Sequence, residues 1–455
     1  MGKRICKERG RKQGGTLILI TIVSFLFILG FSITIHEFGH FLFAKIFRIP
    51  VEKFSIGFGP PLVRKKIGET DFRIAYIPVG GYVKMAGEED VEMPFTKIKD
   101  DEQESVPTEN YIPVKGFYDA PLFHRILVVL SGPLFNIFSA VVVLIIIYIF
   151  WGIYVNPYLR VRVEKNSYAE RIGFMDRDSI VSINGRVLNS WDELETTLAT
   201  LQNKTVDVVF KRGDSIVEKN ITLNLDSLVF SSYVPPLVGS LKVGGPAHKA
   251  GMSNNDSIIR IDGETIETWD EFVAKVRKSK NIPLQIEWLH NHELRSAIVT
   301  PLPYYDPLLK DTIGQIGIVM PLRKVHIEPL RAVAMAGSRS IELIYLTLKT
   351  LYQLIIGEIS RKALGGPIAI AKLTGESARW GIENLLTLLS VISINLGLVN
   401  LFPIPALDGG HIVIAIIEGV RQKRFSKKTR FVIQQIGFAI ILLLIIYVTF
   451  NDLTR

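Results

Sequence analysis

The sequence contains a single cysteine, Cys6, in 455 residues. One thiol excludes an intrachain disulfide and a thiolate-rich metal site. Acidic residues are also in deficit: 44 Asp and Glu stand against 53 Lys and Arg, a net charge of +9. Apolar residues make up 48% of the chain and the mean hydropathy is +0.29. In such a chain a basic excess belongs to cytosolic loops, so it is not read as nucleic-acid binding. Charged residues still reach 21%, so apolar blocks must alternate with soluble ones. The first apolar stretch lacks a small-residue cleavage site, which argues that it is retained rather than removed as a leader.

What is present begins with length. The chain has room for roughly two to four domains. Four stretches reach the roughly 20 apolar residues that a membrane-crossing helix needs: 16–43, 126–151, 382–402 and 431–450. A fifth, 331–356, is nearly as apolar. There Glu342, Lys349 and Gln353 share one helical face, with Arg339 nearby. That pattern predicts a helix lying in the interface. Between the second and third stretches lies an internal repeat. "AERIGFMDRDSIVSINGRVLNSWDEL" from Ala169 matches "AHKAGMSNNDSIIRIDGETIETWDEF" from Ala247 without a gap. Gly173, Asp178, Gly185 and Trp191 align with Gly251, Asp256, Gly263 and Trp269. Each copy predicts an apolar strand, a turn, and a helix opened by Ser190 or Thr268, whose hydroxyls suit free helix-start amides. The pattern resembles tandem PDZ domains of the permuted bacterial kind, although no Gly-Leu-Gly-Phe carboxylate loop is visible.

The chemistry sits in "ITIHEFGHFLF", 33–43. His36 and His40 are four residues apart and share a helical face, so both imidazoles can reach one metal ion. Glu37 follows the first ligand, as the general base does in the HExxH zinc signature. Ionisable groups inside a membrane span are costly and default to function. A structural reading remains, in which these side chains only fill polar contacts between helices. A catalytic zinc site needs a third protein ligand, and Asp408 in "NLFPIPALDGGH" is the candidate, at the end of the third apolar segment, after two helix-breaking prolines and before two glycines that free the backbone. His411, three residues on, reads as a supporting or structural residue. Parity ties the halves together. His36, His40 and Asp408 lie on the same membrane face only if the chain crosses once between the first and third stretches, so 331–356 must not cross.

These residues together resemble the site-2 protease family of intramembrane zinc metalloproteases. The resemblance rests on HEFGH (36–40), "FSIGFGP" (54–60), "IPVGGYVKM" (77–85), "SGPLFN" (131–136), the tandem repeat and "NLFPIPALDGGH" (400–411). It implies one Zn2+ held by His36, His40 and Asp408, Glu37 as catalytic base, and Asn400 as a hydrogen-bond donor to the substrate backbone or developing oxyanion. It implies cleavage of single-span membrane proteins, such as anti-sigma factors already trimmed outside, and of remnant signal peptides. "DFRIAYIPVGGYVKM" predicts a hairpin able to pair with an unwound substrate. In "SGPLFN", Gly132 and Pro133 would let helices approach or kink, and Asn136 could hydrogen-bond between helices.

The expected fold is a polytopic α-helical membrane protein with four transmembrane helices, a membrane-associated β-hairpin and two inserted α+β PDZ-like domains. The expected divisions are a basic tail (1–15), the first span with hairpin and cytosolic loop (16–125), the second span (126–152), PDZ-like modules (155–230 and 231–305), an interfacial helix region (326–380) and the last two spans (381–455). Positive-inside reasoning puts "RQKRFSKKTR" in the cytosol and the modules outside a bacterial inner membrane. The basic tail opposes that orientation, and the expectation is a misassigned start with translation beginning nearer Gly14. Expected partners are single-span substrates, peptides for the modules and membrane lipid, with no nucleic acid. Two other classes compete. A membrane-tethered PDZ scaffold with an inert metal site has no use for Glu37 and would favour four closed ligands. A transporter with a His/Asp proton relay would show inverted repeats, and none is visible.

Overall fold

The computed structural model describes residues 2–87, 116–201, 203–222, 230–306, 311–359 and 365–454. The cytosolic loop expected around 88–115 lies outside them. The chain divides into two compact units, Met1–Ile149 with Glu328–Arg455, and Phe150–Ile327.

The first unit opens with helix α1 (Gly2–Ile46), continuous with the basic tail. A small sheet follows, formed by strands Val51–Ile67 and Thr70–Met85. It is more than the expected hairpin, because Gly57 and Gly59 (φ 89° and 94°) bend the first strand and Gly80 (φ 106°) bends the second. Residues 51–56 pair with 81–85 on one side, from Val51↔Met85 to Ile56↔Gly81, and with 71–74 on the other. Residues 61–67 then fold back on 70–75. The segment 81–85 is left at an edge, with 51–56 as its one strand neighbour among the described residues. Helix α2 (Leu122–Phe150) carries Pro133 inside.

The second unit contains the repeat. Helices α3 (Tyr168–Arg171) and α4 (Trp191–Thr200) belong to the first copy. Helices α5 (Pro246–Lys249) and α6 (Trp269–Lys278) belong to the second. Each copy holds a four-stranded antiparallel sheet of the same order. The aligned residues explain the match. Asn184-Gly185 and Asp262-Gly263 all have positive φ, as two-residue hairpin turns require. Ser190 and Thr268 accept the amides of Glu193 and Glu271, capping α4 and α6. Buried Asp178 and Asp256 each take a backbone amide, from Met175 and Ser253, at 2.8 Å. Asp178 pairs with Arg212, whereas Asp256 pairs with His290. The cores centre on Phe210 and Leu194 in one copy and on Trp288 and Ile286 in the other. Strand Phe230–Ser232 pairs with Val161–Val163, and Ile318–Val319 with Ser240–Leu241.

The chain re-enters the first unit with α7 (Pro329–Ile355), α8 (Pro367–Trp380), α9 (Ile382–Asn400), α10 (Asp408–Arg421) and α11 (Lys427–Leu453). Among the described residues, four helices are long and apolar enough to cross a membrane: Ile18–Ile46, Leu122–Phe150, Ile382–Asn400 and Lys427–Leu453. They overlap the four expected stretches. Helix α7 is not among them. It buries a stripe of Ala332, Ala336 and Ser340 and exposes Leu330, Ile341 and Tyr352. Ile28, Val143, Ala336 and Leu389 pack α1, α2, α7 and α9 together. Asp452 accepts the amides of Gly366 and Ala369, both at 2.9 Å, and anchors the start of α8 to the end of α11. Buried Glu418 of α10 accepts from Arg125 of α2 (2.9 Å) and Arg430 of α11 (2.7 Å).

Candidate active site

One helical turn of α1 brings the two histidines together, with ring centroids 4.8 Å apart and edges crossed at 87°. Their Nε2 atoms are 3.2 Å apart. Asp408 reaches them across the sequence: Oδ2 is 3.0 Å from His36 Nε2 and Oδ1 is 3.5 Å from His40 Nε2. All three ligand atoms lie within 4.8 Å of one another. The histidines are 7% and 8% exposed, so this polar cluster is shielded from solvent.

Asp408 does not end the third apolar helix, as its place in the sequence suggests. It begins the next one, α10, after a non-helical link at 401–407. A carboxylate there meets the positive end of the helix dipole. The link is strained, since Ala406 has φ 84°, a region that side chains with a Cβ enter at a cost of about 1–2 kcal/mol. Gly409 and Gly410 were expected to free the backbone. They are helical instead, and what they provide is room: a Cβ at Gly409 would lie 2.2 Å from the Leu401 carbonyl oxygen, and one at Gly410 2.3 Å from that of Ile404. The link can therefore fold tightly over the start of α10.

Helix α2 shapes the other side. His40 Nδ1 lies 2.8 Å from the Val128 carbonyl oxygen. A carbonyl only accepts, so Nδ1 carries the proton and Nε2 presents its lone pair to Asp408 and His36. A Cβ at Gly132 would sit 2.4 Å from His40 Nε2 and 2.9 Å from His36 Cε1. One at Gly39 would sit 2.6 Å from the Ser131 carbonyl oxygen. The two glycines thus let α1 and α2 touch where the histidines stand.

A cleft of about 350 Å³ opens onto these groups, lined also by Glu37, Tyr82, Asn400 and His411. Glu37 packs beside Gly81, whose missing side chain leaves it space. Asn400 Nδ2 is 3.4 Å from both ring nitrogens of His36, so it faces the ring. All five expected site residues therefore meet in one cleft. His411 lines it too but is outside the three-residue group. Asn136 is the addition that sequence did not reveal: its amide Nδ2 is 3.2 Å from His36 Nδ1. The "SGPLFN" motif marked it only as a polar residue between helices.

Two imidazole nitrogens and a carboxylate make a donor set that suits zinc, with three protein ligands and space for a fourth.

The family model for peptidase family M50 matches residues 24–444. The chain belongs to peptidase family M50. It is a zinc metalloprotease by that membership. As an M50 peptidase it is similar along nearly its whole length to curated proteins. Protease RseP of Yersinia pestis is 30% identical, over 96% of this chain and 99% of that one. A regulator of sigma E protease from Haemophilus influenzae is 29% identical with the same coverage. A Neisseria meningitidis protein provisionally named a zinc metalloprotease is also 29% identical, over 96% and 99%. Among solved structures, the PDZ domain of an SdrC-like protein from Listeria monocytogenes is 27% identical, covering 20% of this M50 chain and 93% of that one, with a TM-score of 0.17.

Proposed function

We infer that this M50 peptidase cleaves single-span membrane proteins within the bilayer, at a zinc site made of His36, His40 and Asp408. The observation that carries the reading is the meeting of HExxH with Asp408 between membrane-capable helices, with Glu37 in the same cleft. A zinc ion held there supplies Lewis-acid chemistry, making water nucleophilic near neutral pH and polarising a carbonyl.

Glu37 takes the proton from the attacking water and passes it to the leaving amine. Asn400 donates a hydrogen bond to the oxygen where negative charge develops. The edge segment 81–85 adds the substrate to the small sheet as a further strand. Pairing of that kind matters because peptide bonds in a transmembrane helix are shielded until unwound. The reading is supported by Tyr82 and Val83 lining the cleft and by the single strand neighbour of that segment.

The substrates are anti-sigma-factor-like proteins already trimmed outside, and remnant signal peptides, in keeping with the sigma E names of the relatives. The repeats act as extracytoplasmic PDZ-like modules of a bacterial inner-membrane protein, with the zinc site near the cytosolic face. Their peptide ligands would add to the side of strand Ile318–Val319 that has no strand neighbour among the described residues, where Ile318 and Val273 of α6 pack on the same core.

The test is cleavage of a single-span substrate in membranes by wild type and by Glu37→Gln, with a chelator control. The expected loss in the variant is about 100- to 10,000-fold, and chelator should abolish wild-type cleavage. Equal cleavage by both proteins would remove Glu37 as the base. A scaffold with an inert metal site predicts no cleavage by either.

A further inference from the structure

Asn136 is fully buried (0% exposed) in α2. Its Nδ2 faces His36 Nδ1 at 3.2 Å, while its Oδ1 has no hydrogen-bond partner among the described residues. The first of these contacts decides the tautomer of His36. Were Nδ2 to donate to Nδ1, the imidazole proton would sit on Nε2. Nε2 is the atom that faces His40 and Asp408, and a protonated nitrogen there holds no metal. Exchanging the nearly isosteric amide oxygen and nitrogen puts Oδ1 against Nδ1 instead. His36 Nδ1–H then donates to Asn136 Oδ1, the Nε2 lone pair turns to the cleft, and the amide nitrogen takes the place the oxygen left.

His40 is already held in this way by the Val128 carbonyl, about two helical turns away on the same helix. Asn400 does not serve, since its amide nitrogen is 3.4 Å from both ring nitrogens and favours neither. We propose that Asn136 is the positioning residue that fixes the tautomer and ring orientation of His36, so that α2 supplies the outer support of both imidazoles. Support of this kind raises ligand basicity as well as fixing direction. The proposal rests on the zinc site inferred above.

The experiment compares zinc binding by the full-length chain in detergent for wild type, Asn136→Leu and Asn136→Asp, by competition with a chromophoric chelator. Leu keeps the size and loses the acceptor; Asp keeps the acceptor. Zinc binding should weaken about ten- to a hundredfold in Asn136→Leu and stay at or above wild-type strength in Asn136→Asp. The visible spectrum of the cobalt-loaded protein should change with Leu and hold with Asp. Wild-type zinc affinity in Asn136→Leu overturns the proposal, and so does an Asp variant as weak as Leu. If Asn136→Leu does not fold, Asn136→Asp decides alone: tenfold weaker binding overturns the role. A wild-type chain that takes up no zinc overturns the metal site itself, a result distinct from any difference among variants.

Discussion

Gly132→Ala is the smallest change that should separate the site from the fold. The added methyl would stand 2.4 Å from His40 Nε2, 2.5 Å from His40 Cε1 and 2.9 Å from His36 Cε1. Comfortable contact lies near 3.5 Å, so the His40 ring must retreat by about 1 Å. Metal sites tolerate only about 0.2 Å in ligand distance, and a 1 Å misplacement costs about a hundredfold in rate. For the fold the accounts nearly cancel. Overpacking costs about 1–3 kcal/mol, while Ala in place of Gly inside a helix returns about 1 kcal/mol. Expected, then, is a variant that denatures within about 2 kcal/mol of wild type, yet binds zinc weakly and cleaves about a hundredfold more slowly or worse. Zinc stoichiometry, cleavage in membranes and thermal denaturation would be measured on the same preparation. Gly30→Ala is the control, on the helix that carries both histidines, with nothing within 4 Å of its added methyl. Full zinc and wild-type cleavage in Gly132→Ala would refute the claim that the histidines stand where a side chain at 132 would be.

Other outcomes follow from the same geometry. Glu418→Ala leaves Arg125, 7% exposed, without its carboxylate, and should destabilise the first unit by about 3–5 kcal/mol, read as a lower melting temperature in detergent. The Glu418 carboxyl is pushed up by burial, but the Phe425 amide and the Arg125 and Arg430 guanidiniums outweigh that and hold it below its ordinary value. Its contribution is therefore complete above the ordinary glutamate range and is lost as pH falls through the depressed value. The acid limb of the stability curve should be shallower in the variant, and an unchanged limb would count against the cluster. Deleting residues 160–303 should let the enzyme cut substrates with long ectodomains as well as short ones, if the modules exclude bulky substrates; unchanged discrimination between the two in a membrane cleavage assay would end that idea.

Much of the site was legible because its chemistry is written in costly places. HEFGH puts ionisable groups in an apolar run, and "ALDGGH" interrupts another, so few structural readings compete. The repeat was legible because Asn184-Gly185, Asp262-Gly263, Ser190 and Thr268 answer local backbone demands, and these act over only a few residues. What stayed hidden depends on a partner distant in sequence. Nothing near Asn136 says that a histidine on another helix lies against it. Gly409 and Gly410 read as flexible because pattern alone cannot distinguish freedom from close approach. The small sheet read as a hairpin because its central pairing, 51–56 with 71–74, skips the segment between them. The start of α10 at Asp408 was missed for a related reason: two prolines announce where a helix stops, and the next start is set by how the link packs.

The two parts of the cluster arrive at very different times during synthesis. His36 and His40 enter the membrane with the first helix, while Asp408 is translated only after both repeats and α7 to α9. Until then the donor set is incomplete. A nascent chain therefore holds Glu37, the base on the proposed mechanism, without the carboxylate that closes the cluster. Premature termination anywhere upstream of α10 yields a fragment that cannot assemble the three donors. On the proposed mechanism, the order of the chain places completion of the site after both repeats.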